Sequence, residues 1–233
     1  QRQMCIRDSF DAMLADLLEI SRIDSGSARL DFEMVDLNKL AEQVVEDNAA
    51  LAEKVGCRVI FNPPKYPCAA ELDTRRVTRI VRNLLVNAIE HSEGNPVVIT
   101  TDSSETAVAL RVSDHGVGMS PEVTSRVFDR FYRADPARAR TTGGTGLGLA
   151  ISLEDARLSG GTLQAWGKTG YGSSFLLTLP RRHDMEMGAS PLDVTDYVEP
   201  TLDTYVPPQS TPQQPENPTN ATRTLGKNGE EPC

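Results

Sequence analysis

The stretch GGTGLGLAIS, Gly143 to Ser152, joins a glycine-rich loop to the start of an apolar helix. Such loops often hold phosphate, because their backbone can approach an anion and the N-terminus of a helix is partly positive. The stretch lacks the lysine and Ser/Thr ending of a Walker loop and the βαβ context of a dinucleotide fingerprint. Taken alone, it predicts a helix start near phosphate and leaves the ligand open.

Helical and strand patterns alternate on both sides of this stretch. Asp36 is placed to cap a helix over residues 37–55, and Asp73 to cap a long helix over residues 74–92. A short helix is predicted in PEVTSRVFDRF and an exposed, mobile loop in YRADPARARTTGG. Strands are predicted in LDFEMV, CRVIFN, PVVITT, AVALRVSD, GTLQAWG and SSFLLTLP. This order predicts an α+β fold, a two-layer α/β sandwich whose mixed sheet is covered by helices on one face.

Composition divides the chain into segments. An apolar stripe along residues 10–24 predicts a helix that needs a partner helix, and residues 1–9 do not extend it, as expected of residues that are frayed or not native to the protein. Residues 30–182 hold the alternating elements. Residues 184–233 contain eight of the 15 prolines and carry nine acidic against two basic residues, so residues 183–233 are predicted to be a disordered acidic tail.

The bulk properties exclude several classes of function. A formal charge of −9 over 233 residues argues against nucleic-acid binding by charge. No run approaches the roughly 18 apolar residues of a membrane span, and no secretory signal is present. The four cysteines form no C-x-x-C pair, which favours free thiols in a reducing cytoplasm.

Three further short elements contain residues suited to ligand chemistry, although each has a plainer interpretation. Asn83 and Asn87 lie one turn apart on one helix and offer uncharged oxygens to a hard cation, but such pairs are usually a polar edge. The stretch DHGVG after a strand holds an acceptor, Asp114, within what is otherwise a plain turn. The stretch FDRFYRAD joins two aromatic anchors, Phe128 and Phe131, to arginines that suit a polyphosphate or a solvated loop.

Taken together, the four elements are far more specific. Their order, N-x-x-x-N, D-x-G-x-G, F-x-x-F and G-T-G-L-G-L, resembles the N, G1, F and G2 boxes of the sensor histidine kinases, and the spacings fit as well. The resemblance covers about Phe10 to Pro180, including the closing strand TGYGSSFLLTLP. It implies that residues 30–182 are an ATP-binding catalytic domain and residues 10–29 the end of a dimerisation helical segment.

The resemblance also implies a role for individual residues in binding ATP and Mg²⁺. Asn87 is expected to ligate the metal, with Asn83 placing it or the phosphates, and His91 to lie near the nucleotide. Asp114 is expected to accept a hydrogen bond from the adenine amine, with two glycines passing under the base: Gly116 and Gly118.

The same resemblance makes residues 131–144 a lid over the triphosphate. Arg130 or Arg133 is expected near the phosphates, and the remaining residues expected to bend the lid or face phosphate oxygens are Gly144, Thr145, Gly146, Leu147 and Gly148. Phosphoryl transfer depends mainly on positioning and charge neutralisation.

The chain departs from the family pattern in one respect. The nucleophile should be a histidine on a dimerisation helix in an H-E-x-x-P context, and the three histidines, His91, His115 and His183, all lie elsewhere. We therefore expect a fragment that binds ATP without phosphorylating itself. Its expected partners are the histidine helix of a homodimeric parent kinase and a response regulator. The fragment is expected on the cytoplasmic side of the cell membrane, to which only a preceding segment of the parent would attach it.

Three alternatives remain. DNA gyrase, MutL and the heat-shock chaperone share the fold but carry a glutamate that activates water, where this chain has Asn83. A serine kinase of the anti-sigma-factor type uses the fold without a dimerisation helix, and the stripe over residues 10–24 argues against it. A degenerate scaffold that binds no nucleotide conflicts with four intact boxes.

Overall fold

The computed structural model of the chain describes residues 13–14, 17–22, 25, 28–134 and 145–196. Residues 13–14 and 17–22 are helical, and we call them the N-terminal helical segment. The strands are β1 (Glu33–Asp36), β2 (Val59–Asn62), β3 (Ala69–Leu72), β4 (Val97–Ser103), β5 (Ala107–Asp114), β6 (Thr162–Lys168) and β7 (Gly172–Pro180). The helices are α1 (Leu37–Asp47), α2 (Ala49–Val55), α3 (Thr74–His91), α4 (Pro121–Arg126) and α5 (Gly148–Leu158). Within these ranges no helix is long and apolar enough to cross a membrane.

The main sheet has five strands in the order β2-β4-β5-β7-β6. Strand β2 pairs with β4 in parallel, and the other neighbours are antiparallel. A separate two-stranded sheet joins β1 to β3. This mixed sheet with packed helices confirms the predicted α+β class.

The core lies between the sheet and the helices. Helix α3 is the main helical contribution, since its inner face is fully buried at the positions that the periodicity predicts: Val77, Ile80, Val81, Leu84, Leu85 and Ile89. Its N-cap is Asp73, whose carboxylate accepts a hydrogen bond from the backbone N–H of Arg76 at 3.1 Å. These side chains pack against Val108, Leu110 and Val112 of β5 and Phe175, Leu177 and Leu179 of β7.

Several elements differ from the sequence prediction. The helix predicted over residues 37–55 is broken at Asn48, whose backbone leaves the helical region and whose side-chain amide donates to the carbonyl of Val44 at 2.8 Å. The short helix ends at Arg126, whereas the prediction extended it to Phe131. Strand β3 was not predicted, because its sequence AAEL has no strand signal of its own and is extended by pairing with β1.

The chain beyond β7 also differs from the expected disordered tail. Residues 183–196 cross the sheet face opposite the helices, where Ser190 bonds to Thr178 at 3.0 Å and the carbonyl of Asp193 accepts from Arg111 at 2.7 Å. We call residues 183–196 the strap. Composition averaged over 50 residues conceals its four half-buried apolar side chains, Met185, Met187, Leu192 and Val194. The rest of the predicted tail, residues 197–233, lies outside the described residues.

Candidate functional site

The carboxylate of Asp114, at the end of β5, is the best-defined polar group of the site. The residue is 1% exposed. Its Oδ1 atom accepts the backbone N–H of Gly116 at 3.0 Å, whereas the buried Oδ2 atom bonds to none of the described residues. Burial raises the pKa of Asp114. The hydrogen bond from Gly116, the contact with Ser173 and the charge of His91 act in the opposite direction but do not cancel the effect of burial. A buried acceptor without a donor is costly, so this oxygen is suited to a donor supplied by a ligand.

The two glycines after Asp114 are required by contacts within the protein. A Cβ at Gly116 would lie 1.8 Å from the carbonyl oxygen of His91 at the end of α3. Gly118 has φ +69°, and a Cβ there would lie 2.0 Å from the carbonyl oxygen of Lys168. The glycines thus bring the G1 turn against α3 and β6, and their expected place under a base stays a prediction.

Helix α3 presents both asparagines toward the site, but in different environments. The side-chain amide of Asn83 donates to the carbonyl of Gly148 at 3.0 Å and to the hydroxyl of Ser152 at 3.1 Å. It therefore fastens α3 to the start of α5. Asn87 is half-buried, and its side chain makes no hydrogen bond to a described residue. Sequence reasoning missed Ser152, whose position four residues after Gly148 was the available signal.

A carboxylate also faces the site. Glu90 lies three residues after Asn87 and is half-buried. Burial raises the pKa of Glu90, and the positive charge of Arg133 opposes this shift. Arg133 is itself half-buried, whereas Arg130 is exposed. The geometry therefore favours Arg133 over Arg130 as the arginine beside the site; sequence reasoning missed Glu90, although its helical spacing from Asn87 indicated it.

Phe131, the first residue of the predicted lid, contacts Gly146, which lies two residues beyond the end of the predicted lid. The backbone N–H of Phe131 donates to the carbonyl of Gly146 at 3.0 Å, and both residues have positive φ, +64° and +70°. Phe128 packs edge-on against Phe175 of the core with ring centroids 6.2 Å apart. Phe131 is 59% exposed, so the expectation that both phenylalanines anchor the loop was wrong for Phe131.

The start of α5 differs in detail from the predicted phosphate contacts. The backbone N–H of Leu147 donates to the hydroxyl of Thr145 at 3.2 Å, and the Leu147 side chain is fully buried. Leu147 therefore acts as a packing residue at the N-terminus of α5. Gly148 lies against the side chain of Asn83. Gly144, together with most of the predicted lid, falls outside the described residues.

These residues form one continuous edge along the last turns of α3. His91 lies close enough to Asp114 to lower its pKa, and Asn87 lies one turn before His91. Asn83 lies one turn further back, against the start of α5. His91 and Asn83 are eight positions apart, about 12 Å along the helix, so the edge joins an unpaired acceptor at one end to amide groups at the other. Such an arrangement suits an elongated ligand with a hydrogen-bond donor at one end and anionic groups at the other.

Comparison with known proteins identifies the family. The family model described as "Histidine kinase-, DNA gyrase B-, and HSP90-like ATPase" matches residues 72–183. The sensor histidine kinase MtrB of Mycolicibacterium paratuberculosis is 47% identical over 206 residues, which cover 88% of this chain and 36% of that protein. MtrB of Mycobacterium tuberculosis is 49% identical over 185 residues, which cover 79% of this chain and 33% of that protein. The chain thus spans about a third of the length of these curated relatives.

Solved structures agree on the fold. Full-length ShkA in complex with AMPPNP aligns with a TM-score of 0.66 at 28% identity, covering 82% of this chain and 40% of ShkA. The catalytic domain of the histidine kinase ThkA, in a nucleotide-free form, aligns with a TM-score of 0.59 at 25% identity. That match covers 66% of this chain and 99% of the ThkA domain.

Proposed function

The chain belongs to the sensor histidine kinase family and carries its ATP-binding catalytic domain, and from this we propose that it binds Mg-ATP along the edge of α3. The observation that carries the proposal is the buried, unpaired Oδ2 atom of Asp114. Adenine offers an exocyclic amine, which is a donor of the kind that this oxygen requires. Asp114 therefore selects the base, and His91 flanks it.

The phosphate end of the proposed site lies around Asn87 and the base of the lid. Asn87 has an amide oxygen that is not engaged with another described residue, which fits the oxygen ligands that Mg²⁺ prefers. When bound, Mg²⁺ would neutralise the charge that develops on the transferring phosphoryl group. Arg133 adds a positive charge on the same side, and Asn83 joins α3 to the start of α5.

The reaction that this site supports is transfer of the ATP γ-phosphoryl group to a histidine. That histidine would lie on a dimerisation helix of the parent kinase, and from there the phosphoryl group would pass to an aspartate of a response regulator, with an MtrA-like regulator as the candidate. The exposed leucines of the N-terminal helical segment, Leu14, Leu17 and Leu18, fit the expected homodimer contact. We place the domain on the cytoplasmic side of a parent protein held in the cell membrane.

The gyrase-type alternative is less well supported. An ATPase of that type needs a general base to activate water. The residue at that position is Asn83, whose amide cannot act as a base. Its NH₂ group donates hydrogen bonds to Gly148 and Ser152. A slow rate of ATP hydrolysis is therefore expected.

Calorimetric titration of the chain with ATP, in the presence and absence of Mg²⁺, tests the proposal. Replacing Asn87 with Ala should abolish the gain in affinity that Mg²⁺ provides while leaving metal-free ATP binding nearly unchanged, because the substitution removes only the metal ligand. Glu154→Gln is a matched control, since Glu154 is half-buried on α5 and pairs with the exposed Arg157. Equal Mg²⁺ dependence in wild type and Asn87→Ala would refute the metal role. Absence of ATP binding in wild type would leave only the scaffold alternative.

A further inference from the structure

Three side chains that can bind a metal ion meet shortly after strand β7 ends. They are Glu71 on β3 and His183 and Asp184 at the start of the strap, and we call them the strap-base cluster. One ligand atom from each residue lies within 4.8 Å of the other two. None of the three residues belongs to the N, G1, F or G2 boxes, so the proposed ATP site does not account for the cluster.

The imidazole of His183 is held against Glu71 by several contacts. Its Nδ1 atom lies 2.8 Å from Glu71 Oε2, and the backbone N–H of His183 donates to the same oxygen at 3.3 Å. The ring stacks on Phe32, with ring centroids 4.9 Å apart and planes inclined by 22°. These contacts restrict the imidazole although it is 51% exposed, so its Nδ1 atom is already directed at the carboxylate.

The backbone that carries the strap-base cluster is fixed on both sides. The backbone N–H of Glu71 donates to the carbonyl of Arg181 at 3.0 Å, and Arg181 Nε donates to the carbonyl of Ala69 at 3.2 Å. The backbone N–H of Met185 donates to the carbonyl of Arg182 at 3.1 Å, which closes a turn around the two strap residues of the cluster. The three ligands therefore converge without further ordering of the backbone.

An imidazole with two carboxylates favours a divalent transition metal such as Zn²⁺. A neutral imidazole protonated on Nε2 offers the lone pair of Nδ1, and three protein ligands with one water complete a tetrahedral site. Zinc–ligand bonds of about 2.1 Å place the ligand atoms about 3.4 Å apart. The spacing in the cluster lies on either side of this value, at 2.8 Å for His183 and Glu71 and no more than 4.8 Å for any pair. Rotation of exposed side chains can supply the difference.

Arg182 competes with a metal for Asp184. Its Nε atom lies 3.3 Å from Asp184 Oδ1, and both side chains are more than half exposed. An exposed ion pair of this kind contributes little stability, so a metal ion can displace it. The competition also has a testable sign, because removing the guanidinium should strengthen metal binding.

We propose that the strap-base cluster binds Zn²⁺ or a related divalent transition metal, and that the metal fastens the strap to β3. Glu71 and His183 are 112 positions apart, so one ion would join the start of the strap to the two-stranded sheet. The unfolded chain lacks this convergence of ligands, so the metal should stabilise the folded state. The proposed metal site does not depend on the proposed ATP site.

Calorimetric titration of the whole chain with ZnCl₂, without nucleotide, tests the metal site. His183→Asn removes the imidazole and keeps a hydrogen-bond donor for Glu71, whereas Glu71→Gln removes one carboxylate. Each should lower the affinity for Zn²⁺ at least about tenfold, because changes one shell further from a metal already cost about that much.

The cysteines are the same in wild type and in both variants, so Zn²⁺ bound by thiols does not alter the difference between them. Circular dichroism without metal verifies that the variants are folded. Equal affinity in wild type and folded His183→Asn would overturn the proposal. Absence of Zn²⁺ binding in wild type would overturn it as well.

A second pair of variants tests the role of Asp184. Arg182→Gln removes its competing partner and should raise the affinity for Zn²⁺ at least twofold. Arg157→Gln is the matched control, since Arg157 is also exposed and pairs with a nearby carboxylate, and it should leave the affinity unchanged. Unchanged affinity in Arg182→Gln, or an equal gain in both variants, would refute Asp184 as a ligand. If His183→Asn fails to fold, either result overturns the proposal.

Amide hydrogen exchange tests whether the metal fastens the strap. Saturating Zn²⁺ should slow exchange over residues 183–190 at least twofold in wild type and leave it unchanged in His183→Asn. Verified Zn²⁺ binding without slower exchange in wild type would refute the fastening and leave the metal site intact.

Discussion

At the scale of a single residue, Asp114 is buried, and only one of its two carboxylate oxygens accepts a hydrogen bond from a described residue. Replacing it with Asn keeps the acceptor for Gly116 and turns the second position into a donor. This donor would face the adenine amine, so ATP affinity should fall at least about tenfold, or roughly 1.4 kcal/mol. Calorimetry with ATP and GTP measures the effect, and the preference for ATP over GTP should shrink because the guanine carbonyl can accept from the new amide.

The Asn substitution should not destabilise the domain itself. Burial raises the pKa of Asp114, which means that the folded state disfavours its charge at neutral pH. Removing that charge should leave the thermal midpoint of the nucleotide-free chain unchanged or higher. A large drop in the midpoint would show that Asp114 serves mainly to hold the fold.

The same raised pKa predicts opposite pH trends for stability and binding. The stability that Asp114 contributes is present below its unfolded pKa and is lost as pH rises through the higher folded pKa. Base recognition needs an unprotonated acceptor, so ATP affinity should weaken as pH falls toward that raised pKa, above the range of an ordinary aspartate. Titrations of ATP binding between neutral and mildly acidic pH test this in wild type. A similar acid-side loss in Asp114→Asn would assign the effect to another group.

At the scale of an element, the strap is the clearest departure from the sequence prediction. It covers Arg111, which is 3% exposed and whose guanidinium bonds to the carbonyl of Asp193. Burial lowers the pKa of Arg111, and the negative charges of Asp196 and Asp193 oppose this shift without cancelling it. The strap thus closes the side of the sheet that the helices leave open.

Removing the strap should therefore destabilise the domain. A chain ending at Arg182 should lose roughly 1–3 kcal/mol of unfolding free energy, because apolar area and buried hydrogen bonds are lost together. A chain ending at Asp196 is the control and should match the full chain. Urea unfolding measures both. Equal stability of the two shortened chains would show that the strap adds nothing to the fold.

At the scale of the whole molecule, the chain holds an ATP-binding domain and three histidines outside the context of a phosphoacceptor helix. His115 Nδ1 contacts the carbonyl of Pro96, and His183 Nδ1 pairs with Glu71, so both rings have structural partners. Incubation of the chain with labelled Mg-ATP should give no acid-labile phosphoprotein above background. Labelling that survives in the Asn87→Ala variant would be nonspecific, whereas labelling lost in that variant would contradict the prediction.

Much of the site could be predicted from local sequence. The box residues, the Asp73 cap and the inner face of α3 follow from residue type and spacing over a few turns, and the four boxes together indicated the family. The break at Asn48 and strand β3 could not be predicted this way. The break depends on the Asn48 side-chain amide, which hydrogen-bonds to a backbone carbonyl of the helix. Strand β3 depends on pairing with β1, more than 30 residues away along the chain.

The sequence by itself determined which residue types are available to the site and which helix carries them. Only the tertiary structure decided that Asn83 would fasten α3 to α5, that Glu19 would meet arginines 57 and 60 positions away, and that the strap would cover Arg111. The physical reason is the distance along the chain over which each interaction acts. Periodicity and capping act over a few neighbouring residues, whereas these contacts depend on which elements the strand order brings together.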